Sequence, residues 1–148
     1  MRILVTGSSG FIGFHLCKSL LEKNFKVLGI DSMNNYYDIK LKKDRIQQLK
    51  KNKKFIFYKV DLSEYKKLNN VIKKHKIKYI VHLAAQAGVR YSILNPKTYF
   101  KSNLEGFFNI LEISRINKIK HLIFASTSSV YGNTDKLPLK ETHRTDHP

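Results

Sequence analysis

Three glycines near the amino terminus, Gly7, Gly10 and Gly13 in TGSSGFIG, close an apolar run at residues 2–6 and open a helical pattern. At this spacing Gly7 permits a sharp turn and Gly10 lets a pyrophosphate approach the backbone. Gly13 permits close packing of helix on strand, while the helix start supplies N–H donors and a positive dipole end. The stretch reads as a dinucleotide-binding turn, although G-x-x-G-x-x-G differs from the G-x-G-x-x-G of ordinary dehydrogenases. Asp31 ends the second apolar run, roughly 20 residues further on. A carboxylate there accepts the adenosine ribose hydroxyls and repels a 2′-phosphate, which points to NAD rather than NADP; the alternative is that Asp31 merely begins a turn.

Three further groups can do chemistry. Asp61, after the third apolar run, either accepts a hydrogen bond from an adenine amino group or serves the start of the next helix. The segment LAAQAGVRYS (83–92) combines small side chains, which leave room for a ligand, with Arg90, whose planar fork suits a carboxylate or phosphate. Its bland alternative is a tight loop carrying a surface arginine. Near the carboxy terminus FASTSSVYG (124–132) sets Ser126, Thr127, Ser128 and Ser129 in a row, either a polar-substrate site or a strand-end turn. His82 reads as a packed histidine, and no His, Cys and Asp spacing resembles a metal site.

The elements that must position these groups alternate strand and helix. Strand-length apolar runs occur at 2–6, 26–30, 55–60, 79–84 and 121–126, near-continuous as in parallel strands covered on both faces. Helical patterns fill 11–23, 39–50, 64–75 and 96–117, with Ser63 expected to cap the third and Asn95 with Pro96 expected to start the fourth. Right-handed crossovers then give an α/β doubly wound parallel sheet of Rossmann type, ordered 3-2-1-4-5, with ligands bound where the order reverses. All 148 residues are expected to form one such domain.

Composition narrows the partners. Lys and Arg total 28 against 11 acids, a net charge of +17, yet only five are arginines and the lysines spread along the chain. Nucleic-acid reading favours clustered arginine and aromatic residues, so the excess reads as solvated surface and neither nucleic acid nor a membrane is expected as partner. Cys17 lies in an apolar helical pattern with Phe14 and Leu21 and reads as a core thiol. Neither a signal peptide nor a run of roughly 20 apolar residues occurs, so the cytoplasm is the expected location.

Taken together, TGSSGFIG, DSMNNYYD (31–38), VDL (60–62), HLAAQAGVRYS (82–92), SNLEGFFNILE (102–112) and FASTSSVYG resemble the extended short-chain dehydrogenase/reductase family. Within it the likeness is to NAD-dependent sugar-nucleotide epimerases and dehydratases, and most of all to UDP-glucuronate 4-epimerases. The resemblance implies NAD as cofactor and a UDP-sugar as substrate, with hydride withdrawn from sugar C4 and returned to the other face of a 4-keto intermediate. It implies that Gly7, Gly10, Phe11, Ile12 and Gly13 hold the pyrophosphate, Asp31 the adenosine ribose, and Asp61 with Leu62 the adenine. Leu83, Ala84, Ala85 and Asn103 would line the cofactor pocket, and Thr127 would be the catalytic hydroxyl near O4. Ser128 and Ser129 stand where dehydratase relatives carry Asp and Glu, and neutral hydroxyls cannot eliminate the C6 hydroxyl, which favours epimerisation. With Arg90 they are expected on the substrate side.

The same resemblance implies a Tyr-x-x-x-Lys helix and a carboxy-terminal substrate domain, both expected beyond Pro148. The single Tyr-x-x-x-Lys match, Tyr36 with Lys40, follows the second strand and reads as coincidence. A chain of this extent is expected to be inactive alone, poorly stable or prone to associate, with a family-like homodimer only when complete. The alternatives are a UDP-glucose or UDP-N-acetylglucosamine 4-epimerase, a non-catalytic NAD-binding module, and last a basic nucleic-acid-binding protein.

Overall fold

The computed structural model describes residues 1–145. Five strands, β1 (Arg2–Thr6), β2 (Lys26–Asp31), β3 (Phe55–Lys59), β4 (Tyr79–His82) and β5 (His121–Phe124), form one parallel sheet ordered β3-β2-β1-β4-β5. This is the expected order, and it reverses direction between β1 and β4. Successive residues of β1 face opposite sides. Ile3 and Val5 pack with Phe14, Cys17 and Leu21 of α1 (Phe11–Glu22) and with Ile46 and Leu49 of α2 (Ile39–Lys50). Leu4 packs on the other side with Leu68 and Ile72 of α3 (Tyr65–Lys74) and with Ile110 and Ile113 of α6 (Gly106–Ile116). Both faces of the central strands are therefore dry, which is why these runs are apolar without alternation. Cys17 is wholly buried and its thiol is pushed up to about 12, as an unreactive core thiol should be.

Three local details depart from the expected pattern. β4 stops at His82 because the next two amides, Leu83 and Ala84, turn away to the Thr6 hydroxyl. β5 then stops at Phe124, its ladder extended only by Ala125 N–H on the His82 carbonyl at 3.1 Å. The segment after β4 contains a short helix α4 (Val89–Leu94), and 96–117 is α5 (Pro96–Tyr99), a π-helical turn (Phe100–Glu105) and α6.

The two expected caps also differ. The Ser63 hydroxyl donates to Asp61 at 2.8 Å instead of accepting from α3, and Asn95 serves α5 through its carbonyl, which accepts from Thr98 N–H at 3.1 Å. Among the described residues no helix is long and apolar enough to cross a membrane. β5 is one of the two edge strands, with Ile123 and Phe124 half exposed.

Candidate functional site

The glycine turn is built by exclusion of side chains. Gly7 has φ +69°, and a Cβ there would stand 3.0 Å from the Ala84 backbone. A Cβ on Gly13 would stand 2.1 Å from the Gly7 carbonyl oxygen, which itself accepts Gly10 N–H at 3.0 Å. Glycine at both positions lets α1 begin directly against the turn. The amides of Phe11, Ile12 and Gly13 open that helix, so no carbonyl of the helix lies four residues back for them. Phe11 and Ile12 themselves are 68% and 65% exposed.

A cleft of about 740 Å³, mouth included, opens beside this turn at the carboxyl ends of the strands. Gly7, Gly10, Asp31, Asp61, Leu62, Leu83, Ala84 and Ala85 all line it, bringing together eight residues that the sequence placed at a cofactor site. Asp31 is buried and oriented: Oδ2 accepts Ser9 N–H at 3.2 Å and Oδ1 accepts Met33 N–H at 2.8 Å. Each oxygen retains a lone pair for a further donor.

Asp61 both lines the cleft and shapes the turn before α3. Its Oδ1 accepts the Ser63 amide at 3.0 Å, and its Oδ2 lies 3.4 Å from the Lys101 ammonium. Burial pushes its pKa up, but the Ser63 hydrogen bonds and Lys101 outweigh that and hold the carboxyl below its ordinary value. The reading in which Asp61 serves the start of the next helix is what its Ser63 contacts show, and the carboxylate also lines the cleft.

Asn103 sits elsewhere than expected. Ser102 lines the cleft, while Asn103, inside the π turn, clamps the Gln86 main chain by accepting its N–H at 2.8 Å and donating to its carbonyl at 2.9 Å. It acts on the cleft through buried Gln86, which is a lining residue.

Two residues that the sequence did not single out organise the walls. The Thr6 hydroxyl oxygen accepts from Leu83 and Ala84 N–H, both at 3.1 Å, so its proton goes to His82 Nδ1 at 2.8 Å. His82 thus carries its own proton on Nε2. It stacks on Phe107 at 5.4 Å, and burial lowers its pKa to about 4. The second residue, Lys42 of α2, is buried beside Asp31 and donates to the Asn34 carbonyl at 2.9 Å and to Asn34 Oδ1 at 2.8 Å. The register Thr6↔His82 was latent in the paired strands, but nothing local distinguishes Lys42 from its neighbouring lysines.

The rim joins the two loops through aromatic rings. Tyr36 and Tyr37 line the cleft, Tyr36 packs on Tyr91 at 4.7 Å, and the Tyr99 hydroxyl donates to the Ala87 carbonyl at 2.7 Å. Lys40 is exposed on α2, where it lies 3.7 Å from Asp44.

The residues placed on the substrate side lie outside the cleft lining. Arg90 is exposed on α4. Thr127, Ser128 and Ser129 are exposed on the 3-10 turn after β5 (Ser128–Tyr131), where Thr127 Oγ1 accepts Ser129 N–H at 3.2 Å.

Sheet order, glycine turn and cleft together define a Rossmann-type domain with a cleft at the point where the strand order reverses. Residues 4–148 match the family described as GDP-mannose 4,6 dehydratase, and the chain belongs to that family. It is 49% identical to Protein CapI of Staphylococcus aureus over 148 residues, all of this chain and 44% of that protein. Among solved structures it is similar to UDP-glucuronic acid 4-epimerase from Bacillus cereus in complex with UDP-glucuronic acid and NAD. That match has 35% identity and a TM-score of 0.87, covering 99% of this chain and 46% of that one. It is also similar to UDP-glucose-4-epimerase from Stenotrophomonas maltophila with bound NAD, at 31% identity and a TM-score of 0.85, covering 98% of this chain and 42% of that one. The chain spans less than half the length of these relatives.

Proposed function

We propose that this chain is the NAD-holding portion of a UDP-sugar 4-epimerase whose substrate is UDP-glucuronate, interconverted with UDP-galacturonate. The observation that carries the reading is the cleft at the point where the strand order reverses. Its base is a turn that a Cβ would fill and one wall is the Asp31 carboxylate, while the α1 amides of Phe11, Ile12 and Gly13 follow directly on lining residue Gly10 without lining the cleft themselves. Convergent N–H donors suit a pyrophosphate, and an oriented acceptor suits ribose hydroxyls, so these residues fit a dinucleotide.

In this reading Gly7, Gly10, Phe11, Ile12 and Gly13 hold the pyrophosphate through the main chain, and Asp31 orients the adenosine ribose. Asp61 and Leu62 bound the adenine end. Leu83 and Ala84, held by Thr6, supply a close apolar wall with Ala85, and Asn103 steadies that wall through Gln86. When bound, NAD supplies reversible hydride removal at sugar C4. Thr127 holds the sugar O4 and shares its proton, and the neutral Ser128 and Ser129 leave the C6 group in place. Arg90 is assigned to an anionic group of the substrate. The tyrosine base and its lysine are assigned to the part of the relatives' length that this chain does not span.

The test is the full natural polypeptide incubated with UDP-glucuronate. Formation of UDP-galacturonate without net NADH, abolished by T127V, is the expected result. Turnover of UDP-glucose with no turnover of UDP-glucuronate would move the assignment to the UDP-glucose enzymes represented by the Stenotrophomonas relative. Absence of NAD binding would overturn it.

A further inference from the structure

Lys42 is the one ammonium group among the cleft-lining residues, and it is only 7% exposed. A buried lysine needs acceptors for three N–H bonds, and the described residues supply two, both on Asn34. Lys42 and Asp31 line the same cleft without a direct ion pair among the described residues, and burial lowers the Lys42 pKa while the Asp31 carboxylate works against that. Asp31 already spends one lone pair of each oxygen on Ser9 and Met33 amides. Three residues along α2, Arg45 reaches the same turn and donates to the Ser9 carbonyl at 3.1 Å. One helix thus brings one cation to the ribose end of the cleft and another to the backbone of the glycine turn.

We propose that Lys42 is a cofactor-binding and selectivity residue: its ammonium supplies the third N–H to the adenosine ribose end of the dinucleotide. Asp31 and Lys42 then act as a pair there. The inference rests on the cleft being a dinucleotide site. Its consequence differs from that of Asp31 alone. A lone carboxylate at the ribose repels a 2′-phosphate, whereas a carboxylate beside an ammonium presents little net charge and a donor for either a hydroxyl or a phosphate oxygen. Lys42 should therefore support binding of the 2′-hydroxyl ligand and, more strongly, moderate rejection of the 2′-phosphorylated one.

The experiment is equilibrium binding of ADP-ribose and of 2′-phospho-ADP-ribose to the full natural polypeptide and to its K42M and K42R forms, without any turnover. For K42M the expected loss is about tenfold for ADP-ribose and about 100-fold for the 2′-phosphate, so that the preference between them widens about tenfold. K42R, which keeps the charge, should return the preference to within about threefold of wild type whatever happens to absolute affinity. If K42M folds poorly, K42Q carries the same expectation.

Equal losses of both ligands in K42M would make Lys42 a prop for the Asn34 loop and overturn the proposal, as would unchanged affinities. A K42R protein that behaves as K42M would overturn it too, since charge would not be what is read. Wild-type protein that binds neither ligand would instead defeat the dinucleotide reading beneath it.

Discussion

The two ends of the candidate site are built differently. Around β1 and β2 the functional groups are buried and over-determined: Thr6 holds three partners, Asp31 holds two amides, and Gly13 leaves no room for a methyl group. Beyond β5, Thr127, Ser128 and Ser129 are exposed, and among the described residues the Thr127 oxygen is engaged only with Ser129. The difference teaches that the dinucleotide side is preorganised by the described residues. The sugar side offers chemical groups with little packed around them. Preorganised sites fail when one supporting contact is removed, and open ones tolerate it.

Substitutions should separate the two regions sharply. The largest effect is expected for G13A, whose Cβ would meet the Gly7 carbonyl oxygen at 2.1 Å. NAD affinity should fall about 100-fold and stability by about 3 kcal/mol, read by calorimetric titration and urea unfolding. Next comes T6V, which leaves the Leu83 and Ala84 amides and His82 Nδ1 without their partner. A loss of about 2–4 kcal/mol in urea unfolding is expected, and a loss under 0.5 kcal/mol would show that this hub is dispensable.

Acid should attack the same hub more gradually. His82 has a folded pKa of about 4 against an ordinary 6.5, so the unfolded chain binds the extra proton between those values. Its contribution is complete above pH 6.5 and is lost as pH falls toward 4, by at most about 1.4 kcal/mol per pH unit. Urea midpoints that stay flat across that window would contradict a buried neutral His82.

Smaller still is K101A. The Lys101–Asp61 pair is solvent-accessible, so stability should change by less than about 1 kcal/mol. The Asp61 pKa should rise from its wild-type position, because burial already pushes it up and only the Ser63 bonds remain to oppose that, and NMR titration of its carboxyl carbon would read this. Smallest is S128A, expected within about 0.5 kcal/mol of wild type in stability and without effect on NAD binding. A destabilisation as large as that of T6V would erase the contrast between the two regions.

Much of this was legible beforehand, for identifiable reasons. β1 through β3 and their helices were readable because strands buried on both faces must be apolar throughout, and Gly7 and Asp31 then fell at strand ends. The eight cleft residues followed from those strand ends and from the motif likeness. Asn103 did not, because the π turn that carries it leaves no mark in an otherwise continuous helical pattern. Caps at Ser63 and Asn95 failed because each has a nearer competitor, the Asp61 carboxylate for one and its own backbone carbonyl for the other.

The sequence by itself determined the alternation of strand and helix, the sheet order and the side-chain-free turn at its start, since all three depend on periodicity, handedness and the absence of Cβ atoms. Only tertiary structure decided that Thr6 would grip Leu83 and Ala84, or that Lys42 would stand beside Asp31. Those contacts join residues on separate elements, and their partners are selected by how strands register and where helices cross the sheet, which no local pattern of residue types encodes.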